Sequence, residues 1–108
     1  MTFEEFDKFT DGIIAEVKAM RDTKGKEYAH SNERFDNFNR LSARLNLPRE
    51  KVWQVYFTKH IDAIDSYIDT SREFSTESIR GRFVDAITYL ILAAGMVQEN
   101  IDKEALRS

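Results

Sequence analysis

Two groups of residues in this chain combine types that can do chemistry. The first runs Lys24-Gly25-Lys26-Glu27-Tyr28 and continues through Arg34-Phe35 and Asn37-Phe38. Cations that hold phosphate alternate here with rings on which a base stacks for about 1–3 kcal/mol. That pairing is what a nucleotide ligand requires. Phe35 and Phe38 have a plainer reading as well, in which they fasten the segment to the core and the lysines are solvated. The second group is spread over the two long helices that follow. Lys59, Asp62 and Asp65 share one helical face, and so do Arg82, Asp85 and Tyr89. Asp85 interrupts the apolar run Phe83-Val84-Asp85-Ala86-Ile87, and an ionised carboxylate in such a place needs a partner or a metal. Lys59 or Arg82 would pair with it in a helix-locking ion pair. In a magnesium–nucleotide site, Asp62, Asp65 and Asp85 would be the ligands, because Mg²⁺ is usually held by one or two carboxylates plus substrate phosphates. His30 and His60 have no metal-ligand spacing and are placed at the surface or around a site rather than in it. The chain shows no P-loop, no dinucleotide-binding glycine turn and no readable serine or threonine triad.

The elements that must position these residues are helical. One Pro and four Gly in 108 residues leave few chain breakers. Residues 2–22 read as an amphipathic helix opened by a Thr2–Glu5 capping box. Residues 23–36 lack a sustained apolar period and read as a loop. A short helix is expected over about 37–45. Pro48 suits the first turn of a third helix reaching about Arg72, with Val52, Tyr56, Ala63 and Tyr67 on one stripe and Phe57, Ile61, Ile64 and Ile68 on the next. Ser75 or Thr76 is expected to cap a last helix reaching about Asp102 or beyond, whose period is held by Ile79, Phe83, Ile87, Leu90, Ala94, Val97 and Ile101. That helix is apolar nearly all round from Phe83 to Val97, so it is expected to form an interface between copies, with Ala93, Ala94 and Gly95 allowing close approach. The fold class is thus all-α: one small bundle of three long helices and a short one, oligomeric through the last helix.

Composition narrows the partners. The net charge is −3, which disfavours duplex DNA. The charge is unevenly placed, however. Residues 23–51 carry seven Lys or Arg against four Asp or Glu, and such a basic segment on an acidic body focuses a small anion. The absence of cysteine removes disulfides, thiolate zinc sites and cysteine nucleophiles, and fits a reducing cytoplasm. No apolar run is long enough to span a membrane, and the acidic N-terminus does not read as a signal peptide.

The order of the pieces resembles a family. Lys24-Gly25-x-Glu27-Tyr28, Phe35-x-Asn37-Phe38, Pro48 opening a helix with Lys59-His60, and Glu77-Ser78-Ile79 leading to Asp85-x-x-x-Tyr89 are similar to the nucleotide-modification-associated domain 1 family. That family is a small all-helical domain found mainly in bacteriophages, and is distantly similar to the MazG-type all-α nucleoside triphosphate pyrophosphatases. The resemblance spans roughly residues 20–100. It implies a phage-encoded protein in the host cytoplasm and a nucleotide ligand, with Lys24, Glu27, Tyr28, Phe35, Asn37, Phe38, Lys59, Asp85 and Tyr89 around it. The chain departs from the MazG pattern at its metal ligands. Asp85 matches the final Asp of the family's Glu-x-x-Asp, but Arg82 stands where the Glu should be, and no Glu-Glu-x-x-Glu occurs on the third helix. A cation there weakens a Mg²⁺ site and suits direct phosphate binding.

Three functions follow as expectations. In the first, a homo-oligomer holds a nucleotide between subunits without turnover, using Lys24, Lys26 and Arg80 or Arg82 on phosphate and Tyr28 or Phe35 on the base. By biological analogy it would sequester a cyclic nucleotide immune signal as an anti-defence protein, with no cofactor. In the second, Asp62, Asp65 and Asp85 hold Mg²⁺ in a nucleoside triphosphate pyrophosphohydrolase. The third is a helical interaction module with no small ligand.

Overall fold

A computed structural model describes residues 1–28, 32–73 and 76–107, with side chains for all of these except 22–28. Four helices make up the described chain: α1 (Phe3–Tyr28), α2 (Asp36–Leu45), α3 (Arg49–Thr70) and α4 (Ile79–Arg107). No strand occurs among the described residues.

Local chemistry sets most of the helix ends. The Glu5 N–H donates to Thr2 Oγ1 at 3.1 Å, so Thr2 caps α1. That helix does not stop near residue 22. It continues through Gly25 to Tyr28, so residues 23–28 of the expected loop are helical. A lone glycine costs a helix about 1 kcal/mol, and the flanking Lys and Glu residues are good helix formers. Pro48 sits at the N-cap of α3, one position before the first turn. Asn46 and Ser71 end α2 and α3 in the left-handed conformation, at φ 55° and 57°, each donating its N–H back to the helix it closes. α4 starts later than expected because Ser78, rather than Ser75 or Thr76, caps it: the Gly81 N–H donates to Ser78 Oγ at 3.0 Å. Ser75 itself lies outside the described residues, and Thr76 is outside the helix.

α4 is the spine of the fold. α3 packs along it, α2 packs on α3, and α1 packs on α4. The main core cluster is Phe38, Val52, Leu92 and Met96, with Phe35, Leu41, Trp53, Tyr56 and Tyr89 packed around it. At the α1 side, Val17 and Val84 are buried, and Arg80 joins the helices by donating from Nε to both carboxylate oxygens of Glu16 at 3.0 Å.

Arg49 ties three helices together. Its guanidinium donates to Asn39 Oδ1 at 3.2 Å and to the Met96 carbonyl at 3.2 Å, and pairs with Glu99 at 2.9 Å. It also lies over the Phe35 ring, 5.4 Å from the centroid. No described helix is long and apolar enough to cross a membrane.

Candidate ligand site

The junction of α2, α3 and α4 gathers several of the residues marked by chemistry. On α3, Tyr56 and His60 stand one turn apart. On α4, Asp85 and Tyr89 do the same, so two such pairs meet across the helix interface. His60 Nδ1 lies 3.8 Å from Asp85 Oδ2, and Asp85 is 4% exposed. The His60 and Tyr89 rings are 4.9 Å apart between centroids. Tyr56 and Tyr89 stack at 6.4 Å and 23°. Phe38 of α2 presents its ring edge-on to both, at 6.3 Å from Tyr56 and 6.4 Å from Tyr89. The exposed Lys59 places its ammonium 5.8 Å from the Tyr56 centroid.

Phe38, Lys59, Asp85 and Tyr89 are therefore linked within one protomer, through Tyr56 and His60. The residue found close to Asp85 is His60, whereas Lys59 lies over Tyr56 and Arg82 pairs with Glu77. His60 is 14% exposed in its side chain and is an internal member of this cluster, not a surface residue. The periodicity of α3 contained the signal: the stripe Val52, Tyr56, Ala63, Tyr67 skips one turn, and His60 occupies it. Arg82 is directed elsewhere, with Nη1 3.0 Å from Glu77 Oε2. It lines an open cleft with Ser66, Tyr67, Arg72 and Glu77 between the end of α3 and the start of α4.

The other marked residues separate. Phe38 is buried in the core, so of its two readings the packing one describes it. Phe35 is half-buried and covers Gly95 of α4. A Cβ built at Gly95 would meet Phe35 Cζ at 2.8 Å. Gly95 thus admits a ring of its own chain, which corrects the expectation that it serves an approach between copies. Asn37 is exposed, and its Oδ1 accepts from Arg40 Nη2 at 3.2 Å. Arg34 is exposed in the turn before α2. The side chains of Lys24, Lys26, Glu27 and Tyr28, and all of His30, lie outside the described residues.

The carboxylates proposed for Mg²⁺ do not assemble. Asp62 and Asp65 are exposed while Asp85 is buried, and no group of three His, Asp or Glu suited to a metal occurs among the described residues. Chemically, the junction offers an ammonium, two half-buried phenols and a carboxylate–imidazole pair. An ammonium engages an anion by charge, and a ring face stacks on another ring; the buried carboxylate contributes to neither. No family model, no curated protein and no solved structure matches this chain.

Proposed function

We propose that the chain is a nucleotide-binding all-α protein that acts as a homo-oligomer and holds its ligand without turnover. The observation that supports this is the cationic and aromatic rim at the α2–α3–α4 junction, where Lys59 lies over Tyr56 and Tyr56 stacks on Tyr89. Lys59 receives phosphate in this reading, and the tyrosines receive base or ribose. The separation of Asp62 and Asp65 from Asp85 favours binding over metal-dependent hydrolysis.

The test is a thermal-shift panel of mono-, tri- and cyclic nucleotides with and without Mg²⁺, followed by analysis of the recovered ligand. Stabilisation that ignores Mg²⁺, with the ligand intact and the effect weakened about tenfold by Lys59→Glu, is the expected outcome. Pyrophosphate release that Asp85→Asn abolishes would sink it. The uncovered apolar stripe on α4 favours a second reading, a helical interaction module. No shift with any nucleotide would leave that reading in place.

A further inference from the structure

The face of α4 that carries no core is also patterned. Phe83, Leu90, Val97 and Ile101 are 43%, 52%, 48% and 55% exposed, Ala94 is exposed, and Ile87 is half-buried. Their spacing is four, three, four, three, four. This is the alternation of a coiled-coil seam, with Ile87, Ala94 and Ile101 at a and Phe83, Leu90 and Val97 at d. The buried residues Val84, Thr88, Leu92 and Met96 lie on the other side of the helix, and the buried Ala86 borders the stripe. The seam runs about 27 Å along the helix.

We infer that this stripe is the seam for a second copy of the chain, with the two α4 helices antiparallel about the level of Leu92. This rests on the oligomeric part of the function proposed above, and not on the nucleotide. The spacing reads the same in both directions, so antiparallel docking sets each a residue against a d residue. Phe83 meets the partner's Ile101, Ile87 meets the partner's Val97, and Leu90 meets the partner's Ala94. Each layer then combines a larger and a smaller side chain, which is how facing positions interdigitate. Parallel docking would instead stack Phe83 on Phe83, and Ala94 on Ala94 with a void between.

Charge selects the same orientation. The next a position before the stripe is Arg80, and the next d position after it is Glu104, both exposed. Antiparallel docking places Arg80 beside the partner's Glu104 at both ends of the seam. Parallel docking places arginine on arginine and glutamate on glutamate. Arg80 also serves α1 within the protomer, with Nε on Glu16 and the guanidinium 5.3 Å from the Phe9 centroid, and a guanidinium carries four further N–H donors. Antiparallel helices also oppose their dipoles favourably.

The chain has no cysteine, so a disulfide can read the register directly. Phe83→Cys and Ile101→Cys chains are oxidised separately and after co-refolding as a mixture, and sedimentation is measured on the native chain across a concentration series. The expected result is a native dimer, a covalent dimer in the mixture only, and association weakened about a hundredfold by Leu90→Glu with helix content unchanged. Covalent dimers from each variant alone would overturn the antiparallel seam while leaving an oligomer. A native chain monomeric at all concentrations would overturn both the seam and the oligomeric reading. A dimer that ignores every nucleotide would leave the seam intact and remove the ligand.

Discussion

Phe35 decides whether the segment before α2 holds a base or closes the fold, and Gly95 provides the measurement. A Cβ at position 95 would sit 2.8 Å from Phe35 Cζ, well inside contact distance. Gly95→Ala therefore combines two opposing effects. Replacing glycine inside a helix favours folding by about 1 kcal/mol. Shifting the far end of a half-buried ring costs about 1–2 kcal/mol, the lower part of the range for overpacking. Phe35 is not free to swing aside without loss, because its face carries the Arg49 guanidinium at 5.4 Å. The net effect in the native background is expected to be neutral to destabilising by about 1 kcal/mol. In a Phe35→Ala background the obstruction is gone, and the same substitution should stabilise by about 1 kcal/mol. The coupling of about 1–2 kcal/mol is read from urea melts of the four chains. In a domain of this size it corresponds to roughly 4–15 °C of melting temperature. All four must be compared at one protein concentration, since association shifts apparent stability. If Gly95→Ala stabilises equally in both backgrounds, the Phe35 ring does not rest on α4, and its role as a base platform is restored.

Three further outcomes are expected. Arg49→Met should destabilise by about 2–3 kcal/mol in chemical melts, because it removes charged hydrogen bonds to α2 and α4 together with the Glu99 pair. Arg49→Lys should recover less than half of that, since an ammonium cannot span the same acceptors. The Glu50 carboxyl is held below its ordinary value of 4.5, first by the hydrogen bond from Asn100, with Arg49 assisting and partial burial opposing. A carboxyl lowered by folding adds stability that is present above its unfolded value and fades as pH falls through the folded one. Stability should thus decline below about pH 4.5, and Glu50→Gln should flatten that decline. At the junction, Asp85→Ala should cost about 1–3 kcal/mol by leaving buried polar groups facing a cavity, whereas Asp85→Asn, which preserves shape, should cost less than half as much in the same melts.

The all-α architecture was legible because helical periodicity is a local property. The Thr2–Glu5 cap, the Pro48 boundary and the α3 and α4 stripes each depend on neighbours within a turn or two. The end of α1 was not legible, because one glycine in a polar stretch weakens a helix without ending it. The cap of α4 was misplaced for a related reason: Thr76 and Ser78 are both good capping types, and only the chain path selects Ser78. Arg49 and His60 were missed for a different one. Counted in sequence, Arg49 is one of seven cations in a basic segment and His60 a lone histidine. Their roles come from Met96, Glu99 and Asp85, some 25 to 50 positions away, which only the packing of α3 on α4 brings near. The candidate site was legible in part for the same reason. Asp85 betrayed itself by breaking an apolar run, but its neighbour did not.

The two faces of α4 also bear on where a ligand sits. Asp85 and Tyr89 project toward α3, and Phe83, Ile87, Leu90 and Ala94 project away from it. A helix that pairs through the second set cannot bring the first set to the same interface. The sequence reading places the ligand between subunits, which compensates for a chain of only 108 residues. The fold supplies another use for the shortage. Its radius of gyration is 16.3 Å, against about 13 Å for a compact chain of this length, so the protomer is elongated and leaves much apolar surface outside its core. That surface is what an α4 seam would cover. The Lys59–Tyr56–Tyr89 rim would remain within each protomer, so dimerisation and nucleotide binding should be separable. A Leu90→Glu monomer that keeps its helices should bind nucleotide as the native chain does. Loss of binding in that monomer would mean that the partner completes the site and that the rim alone is insufficient.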